Sequence, residues 1–146
     1  MAHVKQQVRT AALALLQAAL PLDSIVAGRV RPVDRDRTVS IGLYTPGEQV
    51  AEDGSGGEQT RLIRLRIDIA TKGDEGAALD RLDGRQTSIE QAFANDPDLG
   101  GLAAAVEFRG SDMAPMLIEG ERPFSVMSML FDVMLYTVKT DPETTN

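Results

Sequence analysis

Asp80 and Asp83 are the residues whose spacing comes nearest to chemistry. With Asp74 and Glu75 close by, they could gather oxygen ligands around magnesium. A solvated helix face explains them more simply. They flank the apolar stripe of an amphipathic segment, and no third convergent ligand is evident. The sequence therefore predicts no metal. Four of the six methionines lie between residues 113 and 129, which could suit a soft metal. Filling a core or an adaptable interface suits them better. The single histidine, His3, sits near the terminus and reads as incidental. No interior histidine exists to serve as base for a hydroxyl nucleophile, and the chain has no cysteine, so nucleophilic catalysis has no obvious residues. Gly54, Gly56 and Gly57 lie among Glu48, Glu52, Asp53 and Glu58, in an acidic context that would repel phosphate. No cofactor is predicted, and the chain reads as something other than an enzyme.

The remaining charged constellation is basic. Arg61, Arg64 and Arg66, with Arg29 and Arg31, could line the solvent face of a sheet together with Asp68. An ordinary charged strand face is the plain reading. The functional one is contact with an acidic neighbouring subunit, or with DNA passing without base readout. Aromatic residues do not interleave with these arginines, so stacking on single strands is not expected. Charge is uneven along the chain. Residues 1–72 carry ten basic and eight acidic residues, and residues 73–146 carry five and fourteen. A subunit with one basic and one acidic side can stack head to tail, and such a contact can close into a ring.

These residues need elements to position them. The length of 146 residues suits one domain, and 42% hydrophobic with 25% charged residues is a globular balance. No stretch reaches the roughly 20 apolar residues of a membrane span, and no signal-peptide layout appears, so a cytoplasmic protein is expected. Val4, Val8, Ala11, Leu15 and Ala19 recur at helical spacing over 3–20, and Pro21 ends the run. Ile25–Arg31 and Val39–Tyr44 read as strands, with a solvated turn at 34–37. Residues 45–60, with four glycines and almost no apolar side chains, read as a long flexible hairpin loop. Ile63, Leu65, Ile67 and Ile69 alternate with charged residues in the clearest strand, Arg61–Thr71. A second helix is expected over 75–94, capped by Asp74, with Leu79, Leu82, Ile89 and Phe93 on its stripe. Weaker strands follow at 105–110 and 113–119, then a long strand from Phe124 to Thr140. Residues 141–146 should fray. The expected fold is a single α+β domain over 1–140, with a mainly antiparallel or mixed sheet and two helices on one face.

The last strand is apolar on both faces, so it needs cover on both. Met127, Met129 and Phe131 mark one face. Phe124, Val126, Leu130, Met134 and Tyr136 mark the other. Two helices on one face leave the second to a neighbouring subunit, or to residues 95–119 folding across it. Candidate contact residues are Arg29, Arg31, Arg61, Arg64, Arg66, Asp68, Met127, Met129 and Phe131. The flexible loop, with Glu48, Glu52, Asp53, Gly54, Gly56 and Gly57, is the second candidate.

The segment order, with VAGRVRP at 26–32, RLIRLRIDIATKGD at 61–74, NDPDLGGL at 95–102 and FSVMSMLFDVMLYT at 124–137, resembles the tail terminator family of long-tailed phages and related particles (the tail completion or minor tail protein U-like family). The resemblance implies a subunit of a hexameric ring on the end of the tail tube. Such a ring stops tube growth and offers the surface to which the DNA-filled head joins. It implies as partners further copies of the chain, the tail tube protein and neck or head-completion proteins, with DNA only as passing cargo and no membrane. It places the protein in the host cytoplasm during assembly, then at the head-proximal end of the tail. It also marks the loop at 45–60 as a segment that orders on contact. A head-completion or neck subunit, and a small ligand-binding or regulatory α+β domain, are the alternatives.

Overall fold

A computed structural model describes residues 3–28, 39–52, 57–73, 75–113, 117–119, 122–138 and 141–145. The predicted turn at 34–37 and the sites Arg29, Arg31, Asp53, Gly54 and Gly56 lie outside them.

The first helix, α1, spans Val4–Ala19 and buries Val4, Val8, Ala12 and Leu16, one residue per turn. His3 is not incidental: it is the N-cap, and its Nδ1 accepts the Lys5 N–H at 3.1 Å. That satisfies one of the first-turn donors a helix leaves open. Strand β1 (Ser24–Ala27) follows and pairs in parallel with β2 (Val39–Glu52). Strand β3 (Glu58–Lys72) runs antiparallel to β2. The second helix, α2, spans Gly76–Asn95. Its N-cap is Glu75, which makes no side-chain capping bond, and the expected cap Asp74 lies outside the described residues. Strands β4 (Ala105–Met113), β5 (Leu117–Glu119), β6 (Arg122–Val138) and β7 (Asp141–Thr145) complete the chain. The result is one α+β domain whose mixed sheet has the order β1-β2-β3-β6-β4, with β5 and β7 also paired to β6.

Two expectations fail here. Residues 45–60 are mostly strand rather than loop: β2 and β3 stay paired out to Glu52↔Gln59. Backbone hydrogen bonds carry that pairing, so it needs no apolar side chains. Pro46, which has no N–H to give, falls at the register shift between Tyr44 and Gly47. The chain's end also does not fray over its whole length. Strand β7 pairs with β6, and the Gln7 side-chain amide donates to the Glu143 carbonyl at 2.6 Å.

The sheet's parity decides everything else. Ile63, Leu65, Ile67 and Ile69 of β3 stand opposite Val133, Phe131, Met129 and Met127 of β6, all on the face the helices cover. Ile41, Leu43, Leu16, Leu82 and Ile89 join them and are fully buried. Each such side chain contributes roughly 1.5–3 kcal/mol. On α2 the inward residues are Ala78, Leu82, Ile89, Ala92 and Phe93, whereas Leu79, expected inside, is 44% exposed.

The turn from α2 into β4 explains the NDPDLGGL sequence. Leu99, Gly100 and Gly101 take φ of 49°, 69° and 91° in succession. Two glycines make that left-handed run affordable, and the Asp96 carboxylate accepts the Gly100 N–H at 2.9 Å. Leu99 tolerates its positive φ while its side chain is buried in the core.

One ion pair ties the helix layer to the sheet's β1 end. Arg85 of α2 grips Asp23 with two hydrogen bonds, Nε to Oδ2 at 2.6 Å and Nη2 to Oδ1 at 3.1 Å. The Asp23 side chain is 4% exposed, so it depends on this partner. Asp23→Ala should lower stability by about 2 kcal/mol, because Arg85 is only partly buried and regains water. Urea denaturation would measure the loss, and an unchanged midpoint would refute it.

Candidate assembly surface

The face of the sheet away from the helices is built by the opposite parity. Tyr44 on β2, Leu62, Arg64, Arg66 and Asp68 on β3, and Ser128, Leu130, Asp132, Met134 and Tyr136 on β6 stand on it. Residues 95–113 do not fold across. They form the α2 end, its turn and the edge strand β4, which pairs with β6. Leu62, Leu130 and Met134 are half-buried, Tyr136 is exposed, and no described element packs over them.

Three predicted contact residues are elsewhere. Met127, Met129 and Phe131 point into the core, and the Phe131 ring lies 4.5 Å from Phe93 and 5.2 Å from Phe108. A strand apolar on both faces does not reveal which set is covered. Its register with the isoleucines of β3 does, and it leaves Leu130, Met134 and Tyr136 as the uncovered set.

Arg61 is also on the helix side, sharing the parity of Ile63, and is 9% exposed. Its Nη1 meets Glu48 at 2.9 Å and its Nε donates to Thr137 Oγ1 at 3.2 Å. Lys5 joins Glu48 at 3.7 Å, so Glu48 links α1 to the hairpin rather than standing in a loop. Glu52 ends β2, and Gly57, with φ 76°, precedes β3.

Among the described residues the basic patch is partly neutralised from within. Arg66 Nε donates to Asp68 Oδ1 at 3.0 Å, its Nη2 to Ser128 Oγ at 3.1 Å, and Ser128 Oγ donates to Asp68 Oδ1 at 2.7 Å. The hydrogen bond to Asp68 raises the Arg66 pKa above the ordinary guanidinium value, against burial that lowers it. The guanidinium carbon lies 5.6 Å from the centre of the Tyr44 ring, in cation–π range. Across the face, Arg109 donates to Asp132 at 2.6 Å and meets Glu107 at 3.0 Å. Its pKa is raised by the bond to Asp132 first and by Glu107 second. Arg109 reaches this face because β4 bulges between Phe108 and Gly110, and Gly110 takes φ 138°, which a larger residue would resist. Arg64 alone is exposed with no ion-pair partner among the described residues. A groove of about 740 Å³ crosses the face from Pro46 through Arg64 and Leu130 to Asp112.

Asp80 and Asp83 are exposed on α2, and among the described residues no group of three or more acidic, histidine or cysteine side chains gathers. No described helix is long and apolar enough to cross a membrane.

Neither a family model nor a curated protein sequence matches the chain. Among solved structures, it is similar to a chain from the virion of a native gene transfer agent particle, at 16% identity, with a TM-score of 0.44 over 92% of each chain. A second solved chain aligns at 15% identity with a TM-score of 0.47, covering 88% of this chain and 94% of the other.

Proposed function

We propose that this protein is a structural virion subunit and not an enzyme: a tail terminator that forms a ring, six copies around, on the end of a tail tube. The observation that carries the reading is the uncovered sheet face, where Leu62, Leu130, Met134 and Tyr136 form an apolar band beside Arg64. Such a band on a small domain calls for a protein neighbour. The order of segments, from the N-terminal helix to the long closing strand, supports the same reading through its resemblance to tail terminators. In this role the protein stops tube polymerisation and offers the surface for head joining. Its partners are its own copies, the tube protein and neck or head-completion proteins, and DNA passes as cargo. The protein works in the host cytoplasm during assembly and then at the head-proximal end of the tail.

Deleting the gene from the particle that encodes it and imaging the products tests this. The expected result is overlong or ragged tails lying apart from filled heads. Detached tails of normal length would move the protein to the neck, and intact normal particles would overturn both roles.

A further inference from the structure

One strand edge lies open beside an aromatic pocket. Strand β4 ends the sheet's order, and among the described residues nothing pairs with its outer edge. It bulges between Phe108 and Gly110, so the straight run it offers to a further strand is Ala105–Phe108. Helix α2 passes beside that run. Between them lies an open pocket of about 400 Å³, with Phe93, Pro97, Val106 and Phe108 in its walls and Glu90 among them. Phe93 is buried, whereas Phe108 is 37% exposed, so part of its ring is open to an incoming group.

Glu90 is held in place and lacks a cation. Ser111 Oγ donates to Gln86 Oε1 at 3.3 Å, and Gln86 Nε2 donates to Glu90 Oε2 at 3.2 Å, so a polar chain running from β4 orients the carboxylate. Among the described residues no basic side chain pairs with it. The arginines of α2 are engaged on other sides: Arg81 donates to Thr71 and to the Lys72 carbonyl, and Arg85 to Asp23. Arg109 and Glu107 pair with each other on the other face of the sheet, so neither bears on the pocket. Asp83 shares a helical stripe with Gln86 and Glu90 and adds an exposed carboxylate on the same side.

We infer that this edge takes an extended segment of a partner protein, which pairs with Ala105–Phe108 as an added strand and places an arginine in the pocket. The free main chain of the edge bonds to any extended sequence, and the pocket selects the side chain. An arginine satisfies both kinds of wall at once. Its stem and planar guanidinium lie against Val106 and Phe108, and its charge meets Glu90. A leucine would fill the apolar part and leave Glu90 without a cation, and a glutamate would be repelled. The contact lies on the helix side of the sheet's edge, away from the uncovered face, so it goes beyond the ring proposed above and stands without it.

Short labelled peptides of threonine and valine, with arginine, leucine or glutamate at the centre, test this against the whole chain. Fluorescence anisotropy should rank arginine about tenfold tighter than leucine, with glutamate weakest. Glu90→Gln keeps an oxygen for the Gln86 amide and should weaken the arginine peptide alone, by about tenfold. Asp80→Asn, on another side of α2, should change nothing. Two arginine peptides N-methylated at alternate residues, one in each phase, read the main-chain pairing: one should lose binding and the other keep it. The bound arginine peptide should also slow amide deuterium exchange in Ala105–Phe108. No binding by any peptide, equal affinity for leucine, indifference to Glu90→Gln, or like behaviour of the two methylated phases would each overturn the proposal. Protection of Ala105–Phe108 in the free protein that is lost on dilution would give the edge to a second copy and overturn it as well.

Discussion

Phe131→Ala should lower the stability of the isolated chain by about 4 kcal/mol. The side chain is 2% exposed and lies against both Phe93 and Phe108. Removing the ring takes away the transfer energy of a large apolar group and leaves a cavity between sheet and α2. Neither neighbour can collapse into it freely, since Phe93 is fixed on a helix and Phe108 on a strand. At roughly 3 °C per kcal/mol for a chain of this length, the melting temperature should fall by about 12 °C. Two aromatic contacts are lost as well, each worth about 1 kcal/mol beyond area. The same substitution separates core from interface. A residue at a subunit contact would leave the isolated chain's melting point nearly unchanged and act on assembly. A shift under about 2 °C would return Phe131 to the surface and contradict the register of β6 with β3.

The residues that were legible in the sequence, and those that were not, divide by the range of the interaction that places them. The isoleucines of β3 could be read directly, because period-two alternation is local and one face is charged. The helix stripes were legible within a residue or two: Leu82, Ile89 and Phe93 are inside as expected, and Leu79 turned out because α2 sits rotated toward Ala78. Met127, Met129 and Phe131 were misplaced because β6 is apolar on both faces, and only pairing with a strand some 60 residues away decides which face is covered. Arg61 was misplaced for a related reason. Its charge suggested solvent, but its parity is that of Ile63, and the partners that permit its burial, Glu48 and Thr137, come from two other strands. The hairpin beyond Tyr44 resembles a loop in sequence because its side chains are polar, while its order comes from backbone bonds that composition does not reveal.

The charge asymmetry shows the same division. Counted along the sequence, the first half is basic. Folded, part of that charge is met locally: Glu48 takes Lys5 and Arg61, Asp68 takes Arg66, and Asp23 takes Arg85 from the acidic half. The uncovered sheet face is therefore mixed in charge rather than basic. Its apolar band becomes the stronger reason for the neighbour proposed above.

Arg66 and Arg64 are two residues apart on one strand face, and charge reversal should separate them sharply. Arg66→Glu should cost about 3 kcal/mol. The Asp68 side chain is only 10% exposed, and in the variant it would keep Ser128 as its donor and face a second carboxylate instead of a guanidinium. The contact with the Tyr44 ring would be lost too. Arg64→Glu removes no ion pair among the described residues from an exposed position, so the fold should stay within about 0.5 kcal/mol of the unmodified chain. Any effect of Arg64→Glu on assembly is then an effect on contact, read by sedimentation or by complementation of the deletion. Urea midpoints of the two variants give the comparison. Equal, small shifts would mean that Arg66 and Asp68 form a solvent-screened surface pair, and the internal neutralisation of this face would have to be abandoned. Equal, large shifts would mean that Arg64 has a structural partner, which would remove it as a free contact residue.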